Sequence, residues 1–385
     1  MDWTRPFRVD SFEYKWVNPA NLDDELGELE GVTGGSVLLG YETDDQISGS
    51  LDVTCDSPDG LSGLLRVYAL CSLGDETAKV ELCTCYTEAG DMERLHGRWK
   101  GSLLLRGPLS RYKDDCIAGV WTAAKGTTWK SQWKRTFAAV GGAHLWRSDL
   151  PDRSVSASKT LDFGSTHLDW LEAVRKAVGG RLACDSHGRV VMERYVAPAK
   201  KECSKAFPTG PGSVTLAGVA RTNPHGDMPN RVVVRWKRQV EETRYVLDSK
   251  GRRVRYTSGP NKGRYKTKKT KVTKVSYGRA KAAASSLSSK ESTGRWRTEA
   301  YDVENPPKYG GKVDLDKTAA SKLATLASAK AVYTVEHFYM PIWPGEVWEL
   351  DHDGVHVQAM VDSVEIRLEP GLRCKTDLRH VRHVK

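Results

Sequence analysis

The sequence predicts a mainly β protein with an α+β insertion, and three observations carry that prediction. Short runs of alternating apolar and polar residues, separated by Gly, Asp and Ser turns, fill residues 1–112 and return after residue 213. Between them, 127–195 holds two stretches of helical period, each closed by a Gly pair, followed by a hairpin pattern. Near the C-terminus, 314–368 reads as one helix and three strands.

The 385 residues suffice for two to four domains, each with a core of its own. With 39% hydrophobic and 28% charged residues the chain belongs with globular proteins rather than disordered ones. Its start carries acids and lacks the apolar core of a signal peptide, and no run approaches the roughly 18 apolar residues of a membrane span. Synthesis in a cytosol, without export by the usual route, is therefore expected. Eight cysteines in a chain of this length are ordinary usage, not a disulfide framework. The net charge of +10 is concentrated: 231–281 holds 18 Lys or Arg against three acids, a balance of +15 that leaves −5 for everything else.

In chain order, the acidic run DDELGELE (23–30) is expected as a short helix or loop, amid strands at 48–53, 79–86 and 97–106. Val80, Leu82 and Tyr86 alternate with Lys79, Glu81, Cys83 and Cys85, so one face of that strand should be apolar. Together these runs suggest a small antiparallel barrel or sandwich. Trp129, Trp133, Phe137 and Val140 recur every three or four residues over 127–140, before Gly141-Gly142, which predicts a helix. Ser165-Thr166 can cap a second helix whose face is Leu168, Leu171, Val174 and Val178, and a hairpin turning near His187-Gly188 closes the unit. Strand patterns resume at 214–220 and 230–236. The basic segment that follows, with Tyr245, Tyr256, Tyr265 and Tyr277 among Lys and Arg, is too poor in apolar residues for a core and predicts a long solvated hairpin or a partly disordered loop; 282–292 is linker-like. Asp314 can cap a helix with Leu315, Ala319, Leu323, Leu326 and Ala327 on one face. Strands then begin at Val332, Glu346 and Val355, the last two joined through Asp353-Gly354. In the final strand the apolar positions change phase, from Val355, Val357, Ala359 and Val361 to Val364, Ile366 and Leu368, which predicts a bulge or bend at Asp362-Ser363.

The order of these pieces resembles the hub proteins at the tail tip or baseplate of tailed bacteriophages. The resemblance is carried by the opening FRVDSFEYKWV (7–17) with GGSVLLGYETDDQISGSLDV (34–53), by RVYALC (66–71), by GGRLACDSHGRVVMERY (179–195), and by MPNRVVVRW (228–236) paired with the late helix and PGEVWEL. It implies two tail-tube-like antiparallel β-barrel or sandwich domains plus a smaller helix-helix-hairpin domain. On that mapping 1–112 is the first tube-like domain, 113–203 the insertion, and 204–240 with 293–370 the second; 241–292 is a basic excursion that matches no family motif, and 371–385 is a C-terminal tail. The resemblance further implies a homotrimer whose six β-domains imitate the six-fold end of a tail tube, with a channel for the genome. Its partners would be the distal tail or tail-tube protein, receptor-binding or fibre proteins and the tape-measure protein, with DNA only passing through, and its place would be the virion tail tip. Open sheet edges give a physical reason for a ring, since pairing between neighbours removes them.

Reactive constellations are weak. Cys83 and Cys85 with His96 lack a second cysteine pair at zinc-site spacing; His380 and His383 lack a third ligand; Asp351, His352 and Asp353 before Gly354 lack the full calcium-loop run. No phosphate-binding loop or nucleophile elbow occurs, and Asp114-Asp115 and the 23–30 acids read as solvated charge. We therefore expect no enzyme activity, cofactor or metal. The sharpest local candidate is the basic patch Arg252, Arg253, Arg255, Lys266, Lys268, Lys269 and Lys271 with Tyr256 and Tyr265. Cations could hold phosphates while rings stack on bases. The favoured expectation is instead a hairpin packed on the acidic surface of a neighbouring subunit, because charge facing moving DNA would hinder passage. A nucleic-acid-binding protein using 231–281 is the alternative function, and a cell-wall-degrading tail enzyme the third.

Overall fold

The alternating runs of residues 8–106 become seven antiparallel strands: β1 (Arg8–Asn18), β2 (Asn21–Glu28), β3 (Val32–Gly40), β4 (Ile47–Cys55), β5 (Gly63–Leu73), β6 (Glu76–Leu95) and β7 (Arg98–Arg106). They hydrogen-bond in the order β2-β1-β5-β6-β7-β4-β3 around fully buried Val37, Leu51, Leu65, Val67 and Leu103. Two expectations change here. The acidic run is a strand, because β1 supplies its backbone partners from Lys15 to Asn18 while most of its carboxylates stay in solvent. Cys83 and Cys85, placed on a polar face, are buried, as is Leu82 between them. β6 is therefore covered on both faces, and alternation no longer marks one side.

The computed structural model describes residues 1–41, 45–141, 146–155, 158–222, 229–284, 289–304, 306–327 and 332–383. The insertion comprises α1 (Ser110–Asp114), β8 (Trp121–Ala123), α2 (Trp129–Ala139), β9 (Trp146–Ser148), β10 (Lys159–Leu161), α3 (His167–Val178), β11 (Gly180–Cys184) and β12 (Val190–Arg194). Both predicted helices form, the second at its predicted cap. Thr128 accepts the Ser131 N–H at 3.3 Å, and Thr166 and Asp169 make a reciprocal capping box. Gly179, at φ 67°, ends α3 in the left-handed conformation. Trp129, Trp133, Phe137 and Trp170 are wholly buried and make up the centre of this core, with β11–β12 packed beneath.

β13 (Lys205–Ala206) and β14 (Thr215–Thr222) follow, and the chain then builds a second compact unit over Thr222–Ala331. That unit holds β15 (Arg231–Tyr245), β16 (Thr267–Lys281), α4 (Lys290–Thr293), β17 (Thr298–Asp302), β18 (Lys308–Tyr309), β19 (Lys312–Val313) and α5 (Leu315–Ala327). The basic segment is an ordered antiparallel hairpin, fifteen pairs long, with β17 added in parallel to β15. Asp314 caps α5 as its position predicts, accepting the Lys317 N–H at 2.9 Å. However, α5 packs on Val232 and Val234 through Ala319 and Leu323 rather than on the strands that follow it in sequence. Residues 231–236 and the late helix, expected within the second β-domain, are therefore the small core of the excursion itself. Gly278 permits that contact, since a Cβ there would fall 2.2 Å from the backbone of Leu315.

The chain returns through β20 (Val332–Phe338), β21 (Val347–His352), β22 (Val355–Arg367) and β23 (Arg373–His383). β22 pairs with β3, so the early and late strands make one 13-stranded sheet ending in β14 on one side and β2 on the other. The segment expected as a C-terminal tail is β23, paired with both β20 and β22. Buried Cys374, Thr376 and Leu378 alternate along it, which explains why it is sheet and not tail. No helix among the described residues is long and apolar enough to cross a membrane.

Candidate functional site

Three places combine charge, burial and connectivity in ways that the fold alone does not require. The first is the seam of the large sheet. Ser363 to Arg367 of β22 pair with Gly40 back to Ser36 of β3, whereas Val355 to Met360 pair with β21. The hand-over falls on Asp362, where the register of β22 against β23 shifts between Val361 and Ser363. Burial follows the predicted phase change, with Val357, Ala359 and Val361 buried before it and Val364, Ile366 and Leu368 after it. The Asp362 carbonyl accepts the Tyr41 N–H at 2.8 Å, and its carboxylate accepts from Arg379 at 2.6 Å.

The second place fastens the insertion to the first strands. Gln46, in the left-handed region at φ 54°, donates its amide to the Leu182 carbonyl and accepts the Cys184 N–H, both at 2.8 Å, as a strand residue would. Arg66 is 2% exposed and donates to Thr84 Oγ1 and the Leu22 carbonyl at 2.9 Å and to the His187 carbonyl at 3.2 Å. The His187 ring in turn lies between Glu81, at 3.1 Å, and Asp23, at 2.9 Å. Sequence reasoning missed these residues. The one available signal was an arginine inside the apolar run of β5, where a buried cation demands partners from elsewhere.

The third place is the basic hairpin. Its tip is drawn together by bridges between Leu247 and Arg253 and between Arg255 and Tyr265. Arg253 lies 4.1 Å from the centroid of Tyr245 and Arg255 lies 4.6 Å from that of Tyr265, while Lys266 sits over Tyr256 at 5.4 Å. Arg255 also donates to the Tyr265 hydroxyl at 3.0 Å, which lowers the pKa of that phenol below its ordinary value. The rings expected to stack on bases thus carry cations. Lys268, Lys269 and Lys271 stand along β16; Lys269 reaches Glu241 at 3.5 Å, and Glu242 takes Lys274 at 2.7 Å and Arg244 at 3.2 Å. Among the described residues, Arg252, Arg253, Arg255, Lys266, Lys268 and Lys271 have no carboxylate at ion-pair distance.

The weaker candidates come apart. Cys83 is buried beside Cys85, whose hydrogen bond, reinforced by burial, pushes its thiol well above the ordinary value, while His96 lies at the exposed β6–β7 turn. Asp351 pairs with His356 across the β21–β22 hairpin, and Asp114 is held by Arg106 at 2.7 Å. The side chains of His380 and His383 lie outside the described residues. No group of three His, Cys, Asp or Glu suited to a metal occurs among the described residues.

No protein-family model matches the sequence, and no curated protein matches it significantly. Solved structures do resemble it. A tail protein from Neisseria meningitidis MC58 superposes with a TM-score of 0.59 at 12% identity, covering 96% of this chain and 97% of that one. The 43 kDa tail protein of prophage MuSo2 from Shewanella oneidensis gives 0.54 at 11%, covering 97% and 99%. A Francisella PdpA-VgrG complex gives 0.50 at 8%, covering 99% of this chain but only 59% of the other. The chain has the mainly β fold of phage tail proteins.

Proposed function

We propose that the protein is a structural hub of a bacteriophage tail tip or baseplate, a homotrimer that ends the tail tube and joins it to the adhesion apparatus. The observation that carries this reading is the β3–β22 seam. It joins the strands of 8–106 to those of 205–222 and 332–383 edge to edge, so one chain presents two β modules already continued into each other. β2 and β14 are left as sheet ends, and repeating the seam between chains would pair them and close a ring. Three chains would then supply six modules around a channel for the genome. The fold shared with the Neisseria and MuSo2 tail proteins supports a place in the virion tail. On this reading the partners are the distal tail or tail-tube protein, the receptor-binding or fibre proteins and the tape-measure protein. The role is mechanical, opening or closing the end of the tube.

Native mass and negative-stain images of the purified protein test the proposal. Three-chain rings with a central opening are expected. A monodisperse monomer throughout the micromolar range, with no ring on addition of tail tubes, overturns it.

A further inference from the structure

The hub reading leaves the basic hairpin without a task, and the hairpin's geometry is costly without a partner. The register places Arg231 opposite Lys281, Arg238 opposite Lys274 and Arg244 opposite Lys268. Like charges directly across a sheet repel, and at the two distal pairs Glu242 is the one acid on that face. The opposite face carries Lys237, Lys269 and Lys271 against Glu241. Beyond β17, cations therefore occupy both faces of a two-stranded ribbon, residues 236–245 paired with 267–276, which spans about 33 Å.

We propose that this ribbon is a docking arm for double-stranded nucleic acid, gripping the phosphate backbone without reading base sequence. Three features favour a duplex over an acidic protein surface or a single strand. A protein neighbour would neutralise one face of the ribbon, whereas the two phosphate backbones that border a duplex groove run along the ribbon's edges, where long Lys and Arg side chains from both faces can reach. Contact with Tyr245 and Tyr265 holds the guanidinium groups of Arg253 and Arg255, whose forked donors suit phosphate oxygens. Those same cations occupy the ring faces on which the bases of a single strand would have to stack. A bound polyanion also relieves the cross-strand repulsion, so the ribbon gains order when occupied.

The experiment is fluorescence anisotropy of the full chain with a short labelled duplex of arbitrary sequence over a salt series. With about four phosphates neutralised, affinity should fall on the order of 100-fold between roughly 50 and 200 mM salt. Arg252→Gln, Arg253→Gln and Arg255→Gln together should cut that dependence to about threefold by leaving about one phosphate contact. The pair Lys268→Gln and Lys271→Gln, on strand positions of β16, should reduce the salt slope by about one, the contact that the Arg variant leaves, without touching the tip. Circular dichroism and ring formation should match the parent in both variants. Failure of the parent to bind duplex at low salt overturns the proposal, as does binding that neither variant weakens. Tighter binding of oligo-dT than of duplex overturns it in favour of a stacking platform. Loss of three-chain assembly in the variants, with no duplex binding by the parent, assigns the ribbon to a protein contact. Mass measurements report the hub independently of all these outcomes.

Discussion

Arg379 of β23 donates to the Asp362 carboxylate at 2.6 Å across the bulge at which β22 leaves β21 for β3. The ion pair thus spans the point where the two groups of strands become one sheet. Both side chains are about one-third exposed, at 36% and 29%, so the pair stabilises modestly. Asp362→Ala should cost about 1 kcal/mol and lower the thermal midpoint by about 3 °C. Calorimetry checks this. If assembly depends on the shape of the seam, native mass should show a larger share of free monomer.

Arg66 is a stronger test of how the insertion is held. Its guanidinium is buried and meets three β1–β7 partners, Thr84, the Leu22 carbonyl and the Glu81 carboxylate at 3.5 Å, together with the His187 carbonyl of the insertion hairpin. Arg66→Met keeps the volume and removes every donor, leaving the Leu22 and His187 carbonyls without it. A loss of about 3 kcal/mol is expected. Amide exchange should accelerate at residues 184–190 before it does in α2 or α3.

Gly278 is required by close approach rather than by backbone conformation. Gly278→Ala would drive a methyl group into Leu315, whose carbonyl carbon and oxygen lie 2.2 Å from the new atom. Moving the start of α5 should destabilise the second unit by about 3 kcal/mol. Limited proteolysis should then cut within Thr222–Ala331 at lower protease concentrations, while Met1–Arg221 stays resistant.

His337 links stability to pH. Burial pushes its pKa down from 6.5 to about 4. Its Nδ1 faces the Phe338 carbonyl at 2.7 Å and so donates, which leaves Nε2 to accept from the Thr376 hydroxyl at 2.7 Å. The folded imidazole stays neutral, whereas the unfolded one takes up a proton below pH 6.5. Its contribution is therefore complete above pH 6.5 and is lost as pH falls towards 4, by about 3 kcal/mol in total. His337→Gln should flatten the unfolding free energy over that window in urea titrations. An unchanged slope would show that other groups set the acid response.

The parts of the fold that sequence alone determined are those in which a short stretch carries its own physics. Thr128, Thr166 and Gly179 cap the insertion helices, Asp314 caps the late helix, and the switch from Val361 to Val364 marks a bulge, because capping and side-chain alternation are local properties. The basic hairpin was legible in composition, though not its order, since the pairing of fifteen residues on each strand is a cross-strand matter. Tertiary structure decided what depends on distant partners. DDELGELE became a strand because β1 offered it hydrogen bonds, and α5 went to the ribbon because Gly278 made room for its backbone. The cation–aromatic cluster at the hairpin tip likewise required Arg253 and Arg255 to meet Tyr245 and Tyr265 across the turn. Local periodicity fixes which face of an element is apolar; which neighbour covers that face depends on contacts that no window of the sequence contains.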